Sequence, residues 1–220
     1  MRIAIVGGHG QVARHLHPIL VRAGHTPVAL VRKETYRAEL EGLGAEVRLL
    51  DIERQDENAF AAGFERCDAV VFSAGGGPDG RVERKRTVDL EGALKSIAGA
   101  KAAGIRRFVQ VSAINVDNPL PPGTSEVWTA YVHAKRDADA ALRDSDLDWT
   151  IIRPGRLTDD PATGAVSLGP DVPRGDVPRA DVAAVLAAVL ADDDTVGHQW
   201  NLVAGETPIA EAVGQAAHSS

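Results

Sequence analysis

The sequence predicts a doubly wound α/β fold, a parallel sheet with helices on both faces. Three observations carry this. Short β-branched runs alternate with longer Ala-rich amphipathic stretches, the pattern of strand–helix repetition. Runs such as Ala69-Val70-Val71-Phe72 are continuously apolar, as strands buried on both faces must be. The first run passes at once into a Gly-rich turn that opens a helix.

In chain order, residues 3–6 read as the first strand. Residues 11–23 read as a helix stopped at Gly24, with Pro18 expected to kink it. Strands follow at 28–31 and 47–50, separated by a short helix at 36–43 that ends at Gly44. A short helix at 57–63 precedes the fourth strand, 69–72. One long helix is predicted over 81–103, closed by Gly104, then a fifth strand at 108–111. A helix at 129–143 and a strand at 150–152 come next. Pro178-Arg179 begins a helix over 180–190, and 199–203 reads as a last strand. The Pro-, Gly- and Asp-rich stretch 158–178 reads as a small lid or a surface loop. The polar tail from 212 to 220 is expected to fray. All of this fits one domain spanning 1–220, with a small substrate-side region at its C-terminal end.

Composition narrows the function. Hydrophobic residues make up 44% and charged residues 25%, as in a soluble globule able to bury a core. A net charge of -7 without any basic run argues against a partner that tracks nucleic-acid phosphates. Cys67 is the one cysteine, which rules out an intramolecular disulfide and a thiolate metal cluster. His15 and His17 are two apart and so on different helix faces, and no metal site is expected. Residues 3–6 are too short for a signal-peptide core, and no run approaches the ~20 apolar residues of a membrane span. The expected setting is cytoplasmic, as a monomer or homodimer with a small-molecule substrate and no membrane partner.

In an open parallel sheet, ligands bind beyond the carboxyl ends of the strands. Gly7-Gly8-His9-Gly10-Gln11-Val12-Ala13 stands there after the first strand. Gly7 allows a tight turn, Gly10 lets a pyrophosphate reach the helix N-terminus, and Ala13 lets helix and strand pack closely. His9 is placed to cover the pyrophosphate. Arg32 and Lys33 follow the second strand. A cation there suits the 2′-phosphate of NADP(H), where NAD sites carry an acid; the alternative is two solvated surface cations. Asp51 is expected to accept from the adenine amino group with Ile52 on the ring face, or else to act as a turn or cap aspartate. Ser73, Ala74 and Gly75 form a loop that can lie along the cofactor, or a flexible connector.

Ser112 ends the fifth strand. Tyr131 and Lys135 are four apart and share a helix face. A nearby ammonium and a cationic nicotinamide would favour the phenolate of a group whose pKa is otherwise near 10, and Ser112 is expected to bond a substrate carbonyl or the Tyr131 hydroxyl. Such a trio can move a proton while a nicotinamide transfers hydride; a plain Tyr–Lys surface pair is the alternative. Pro154 and Gly155 leave the sixth strand, with backbone groups expected to meet the nicotinamide carboxamide. Trp128 is expected either to wall the nicotinamide pocket or to pack in the core. Trp149 and Trp200 read as core, His133 as surface, and Cys67 as inert.

Taken together, Gly7-x-x-Gly10-x-x-Ala13, Arg32, Ser112, Tyr131-x-x-x-Lys135 and Arg153-Pro154-Gly155 resemble the short-chain dehydrogenase/reductase superfamily. The chain is most similar to its atypical short members, the small NAD(P)H-binding biliverdin reductase B-like and epimerase-like proteins with Rossmann-type sheets. The resemblance covers nearly the whole chain, including Val177-Pro178-Arg179-Ala180-Asp181-Val182-Ala183. It implies cofactor contacts at Gly7, Gly10, Gln11, Val12, Arg32, Asp51, Ala74, Gly75, Ser112, Lys135 and Pro154. Extended members often complete an active-site tetrad with an Asn on the long helix. Here the corresponding helix offers Asp89, as in the atypical subgroup. The implied activity is NADP(H)-dependent hydride transfer to a small carbonyl, quinone or flavin-like acceptor. Tyr131 would donate the proton, Lys135 would orient the ribose, and Ser112 would position the substrate. The alternatives are a non-catalytic NADP(H)-binding redox sensor or partner-binding protein, and an epimerase/dehydratase-like enzyme.

Overall fold

The computed structural model describes residues 1–77 and 80–219. Strand β1 (Arg2–Val6) turns into helix α1 (Gln11–Arg22), which is one continuous helix across Pro18. Then come β2 (Thr26–Val31), a 3-10 turn at Glu34–Tyr36, α2 (Arg37–Gly42), β3 (Glu46–Leu49), α3 (Glu57–Gly63) and β4 (Ala69–Phe72). A helical run follows in three pieces: one turn of α4 (Val82–Arg84), a π-helical stretch at Lys85–Leu90, and α5 (Glu91–Ala102). The second half comprises β5 (Arg107–Val111), α6 (Glu126–Arg143), β6 (Asp148–Pro154), β7 (Arg156–Thr158), β8 (Ala165–Gly169), β9 (Asp176–Pro178), α7 (Arg179–Leu190), β10 (His198–Ala204), β11 (Thr207–Pro208) and α8 (Ile209–His218).

The main sheet runs β3-β2-β1-β4-β5-β6-β10-β8-β11. It is parallel from β3 to β10, and β8 pairs antiparallel with both β10 and β11. Ile5 pairs with Ala29 on one side and with Val71 on the other. The strand order reverses between β1 and β4, and that switch opens a crevice at their carboxyl ends. Successive strand residues feed opposite faces. Ile3 and Ile5 pack with Leu16, Leu20, Val182, Leu186 and Trp200 beneath α1 and α7. Ala4 and Val6 pack with Phe60, Phe72, Phe108 and Leu142 beneath α3, α5 and α6. Both faces are therefore apolar and covered.

Four expectations need correction. The helix predicted over 81–103 contains a π-helical stretch that places Lys85, Val88 and Asp89 inside, a feature that a 3.6-residue pattern does not reveal. The helix predicted from 129 starts three residues earlier, because the Ser125 hydroxyl accepts from the Trp128 N–H at 3.3 Å and caps it. Segment 158–178 is neither a plain loop nor a detached lid. Its β8 extends the main sheet with Val166 fully buried, and β9 pairs parallel with β7. Up to His218 the tail does not fray: α8 runs to that residue, with Ala212, Val213, Ala216 and Ala217 forming a buried stripe in the α7-side core, and Ser220 lies outside the described residues. Among the described residues no helix is long and apolar enough to cross a membrane.

Candidate functional site

The turn after β1 is built for close approach. Gly7 has φ +82°, and a Cβ there would lie 2.8 Å from the Ala74 Cα, so the left-handed backbone and the neighbouring loop after β4 both demand glycine. A Cβ on Gly8 would meet that of Ala29 at 2.7 Å. A side chain at Gly10 would fill the gap between the Gly7 carbonyl (3.0 Å) and the Ser73 carbonyl (3.6 Å). Gly10 is also the N-cap of α1, which has no side-chain cap and no acid in its first turn. The orphan N–H groups and the positive end of the helix dipole thus face an open gap. These residues fit a dinucleotide pyrophosphate. His17 braces the turn from below, its Nε2–H donating to the Gly8 carbonyl at 2.7 Å. Burial lowers the His17 pKa.

A cleft of about 240 Å³ opens from this turn. Of the residues predicted for cofactor binding, Gly7, His9, Gly10, Arg32, Asp51, Ile52, Ser73, Ala74 and Gly75 line it. Gly8 lies under the turn against Ala29, Val12 is in the core, and Gln11 is exposed at the helix start. Lys33 is exposed, its ammonium 5.9 Å from the Tyr36 ring centroid. Asp51 acts as a turn aspartate, its Oδ1 accepting the Glu53 N–H at 3.0 Å. His9 stacks on Tyr36 at 3.6 Å between centroids and bonds Glu39 at 3.0 Å. Sequence reasoning missed Tyr36, Glu53, Arg84 and Val88, which also line the cleft. Tyr36 sits in the first turn after Lys33, a signal within reach. Arg84 and Val88 arrive from a distant segment.

The loop after β4 is pinned. The Gly76 N–H donates to Asp89 Oδ2 at 2.8 Å, and Asp89 is fully buried. Lys135 Nζ lies 3.4 Å from Asp89 Oδ1 and donates to the Val111 carbonyl (3.2 Å) and the Ala74 carbonyl (3.5 Å). The lysine thus joins the end of β5 to the loop after β4. Burial alone would lower its pKa, but Asp89, Tyr131 and Asp139 outweigh burial and raise it. Tyr131 lies one turn away, with the Lys85 and Lys135 ammonium groups 5.9 and 6.0 Å from its ring centroid. The protein's own groups, without a nicotinamide, move its hydroxyl away from the phenolate. Burial pushes the pKa up, Asp89 and Asp139 add to that, and Lys135 opposes without prevailing. Trp128 is not core: it is exposed, its ring 5.2 Å from that of Tyr131.

Ser112 and Pro154-Gly155 differ from expectation. The Ser112 hydroxyl donates to Asp139 Oδ2 at 2.7 Å, and Gln110 and Arg153 converge on the same buried carboxylate. With its hydrogen spent there, Ser112 can accept from a neighbour but cannot donate to a substrate carbonyl. The Pro154 carbonyl accepts from the Ile114 N–H at 3.0 Å, and the Gly155 N–H donates to the Leu202 carbonyl at 2.8 Å. The Gly155 N–H is thus engaged by β10, beside which β6 continues through Pro154, while the Pro154 carbonyl keeps a second lone pair for a further donor. Among the described residues no group of three His, Cys, Asp or Glu side chains is arranged to hold a metal ion.

Comparison with known proteins agrees with this geometry. A family model described as NAD(P)H-binding matches residues 7–193. A Bacillus subtilis (strain 168) protein, named as an uncharacterized sugar epimerase, YhfK, is 40% identical over 214 residues, covering 97% of this chain and 99% of its own. Among solved structures, a Bacillus halodurans protein named for an NAD-dependent epimerase/dehydratase is 38% identical with a TM-score of 0.90, covering 98% of this chain and 99% of that one. The oxidoreductase ylbE of Lactococcus lactis is 27% identical with a TM-score of 0.86, covering 98% and 96%. The chain therefore belongs to the NAD(P)H-binding family, with a Rossmann-type sheet shared with epimerase-like relatives.

Proposed function

We propose that the protein is an NADP(H)-dependent oxidoreductase acting on a small carbonyl, quinone or flavin-like acceptor. The observation that carries this reading is the uncapped N-terminus of α1 opening into a cleft whose wall holds Arg32. The dinucleotide, when bound, supplies or takes the hydride. Gly7 and Gly10 leave room for its pyrophosphate, Arg32 faces a 2′-phosphate, and the Ser73–Gly75 backbone borders the path toward the nicotinamide. Tyr131 carries its proton at neutral pH, as any phenol with a pKa near 10 does, and burial pushes its pKa further up. A loaded phenol is suited to donate to an acceptor oxygen during reduction. Lys135 holds the loop and the Tyr131 face in register through Asp89 and two carbonyls.

Fluorescence titration with NADPH and NADH, followed by NADPH oxidation against quinones, flavins and small carbonyls, tests the reading. Tight NADPH binding with turnover is the expected result; absence of binding by both cofactors would overturn it. Arg32→Asp should weaken NADPH by about tenfold or more, and NADH far less. Equal losses would remove the reason for preferring NADP(H). A second reading, a redox sensor without turnover, is motivated by the buried Asp89 that pairs with Lys135 where extended members often carry an Asn. It predicts tight NADPH binding with no consumption. An epimerase, in line with the relative's name, predicts bound cofactor with no net oxidation and conversion of a sugar isomer.

A further inference from the structure

We propose that Glu53 is a specificity-determining residue that tempers the preference of the cleft for a 2′-phosphorylated dinucleotide. The proposal rests on the reading of the cleft as a dinucleotide site. Glu53 lies just past β3, and its N–H is fixed by Asp51 Oδ1 at 3.0 Å. Its carboxylate does not extend freely into solvent. Oε1 accepts from the Thr87 hydroxyl at 2.9 Å. Oε2 lies 3.9 Å from Arg32 Nη1 and 3.6 Å from Arg84 Nε. The three groups come from three elements: Arg32 from the end of β2, Glu53 from the turn after β3, and Arg84 from α4, which also donates to the Gly76 carbonyl at 2.9 Å. Arg32, Glu53 and Arg84 all line the one cleft.

The charges lead to a definite expectation. Among the described residues, the Arg32 and Arg84 guanidinium groups both approach the Glu53 carboxylate at the cleft wall where Arg32 stands. A ribose 2′-phosphate brings a charge of about −1.5 to −2 near neutral pH. It must share both arginines with Glu53 and is repelled by the carboxylate. A ribose 2′-hydroxyl carries no charge and can donate to a carboxylate acceptor. Glu53 therefore penalises NADP(H) and not NAD(H), in opposition to Arg32. The side chain of Glu53 is 32% exposed and that of Arg32 50%, so solvent screens the effect to the modest range of partly exposed ion pairs.

Glu53→Gln tests this, because the amide keeps an acceptor for Thr87 while removing the charge. Calorimetric titration of the full chain would use NADPH, NADH, 2′,5′-ADP and ADP, at low and high salt. The expected result is about fivefold tighter NADPH and 2′,5′-ADP in the variant, with NADH and ADP unchanged within about twofold, and a smaller gain at high salt. Unchanged or weaker 2′,5′-ADP binding, or an equal shift in both pairs, would overturn the assignment and make Glu53 a purely structural tie. If the wild type binds NADPH and NADH but Glu53→Gln leaves the pairs unshifted, the assignment to Glu53 alone fails. If the wild type binds none of the four, the dinucleotide reading fails with it.

Discussion

Tyr131 gathers the chemistry of single side chains in this protein. Burial pushes its hydroxyl pKa further above 10, two buried carboxylates add to that, and Lys135 opposes it. That state favours a proton donor over a phenolate base. Replacing it by Phe removes the proton but keeps the ring beside Trp128 and the two lysines. Tyr131→Phe should lower turnover about 100-fold or more while NADPH binding stays within about twofold. Steady-state rates alongside the titration check this, and unchanged turnover would reject Tyr131 as the donor. Lys135 could be picked out by its spacing from Tyr131, and Asp89 by the family resemblance. That they pin the loop after β4 could not, since Gly76 reaches Asp89 only through the packing of the long helical run against the sheet.

At the scale of elements, α8 is the clearest test of packing against propensity. Its sequence is short and ends in polar residues, which reads as a frayed tail. Its Ala212, Val213, Ala216 and Ala217 nevertheless share one face and join the core beneath α7. Short helices draw their stability from such burial and little from intrinsic propensity. Val213 is 2% exposed, so Val213→Asp places an unpaired charge in the core and should cost about 3 kcal/mol or more. For a chain of this length that is a fall of roughly 6–12 °C in Tm. Ala210→Asp, on the exposed face of the same helix, should leave Tm almost unchanged. Equal, negligible effects of both in a thermal melt would mean that the helix is frayed in solution. The π-helical stretch acts at the same scale, bringing Lys85 and Asp89 inward where the site needs them.

For the whole molecule, the pH dependence of stability follows from which titratable groups are buried. His17 donates from Nε2 to the Gly8 carbonyl, and its Nδ1 is buried without a partner. Burial holds its pKa below the ordinary 6.5. The unfolded chain therefore binds the extra proton first, and stability falls as pH drops through 6.5 toward the lower folded value. Asp139 acts in the opposite sense. Burial raises its pKa above 3.8 despite Arg153, Ser112 and Gln110, so its contribution is full below 3.8 and is lost as pH rises through the folded value. His17→Gln keeps a donor for Gly8 and removes only the first effect. Relative to the variant, the wild type should lose Tm between about pH 7 and pH 5. Parallel melting curves across that range would contradict the assignment of the acid loss to His17.

Much of this protein was decided locally and so could be read from the chain. Apolar runs and Ala-rich periodicities mark the parallel strands and most helices, because burial on both sheet faces selects continuous hydrophobic runs. The Gly7–Gly10 turn, Arg32 and the loop at Ser73–Gly75 follow from rules about strand ends, and all of them line the cleft. Tertiary structure decided the rest. β8 is a short antiparallel strand between β10 and β11, and only pairing with them makes it a strand. Ser112 turned to Asp139 and Pro154 stayed in the sheet because partners distant in sequence satisfied their polar groups. Glu53 meets Arg32 and Arg84 only where three strand- and helix-ends converge. Such contacts depend on the register and closure of the assembled sheet, which no local spacing encodes.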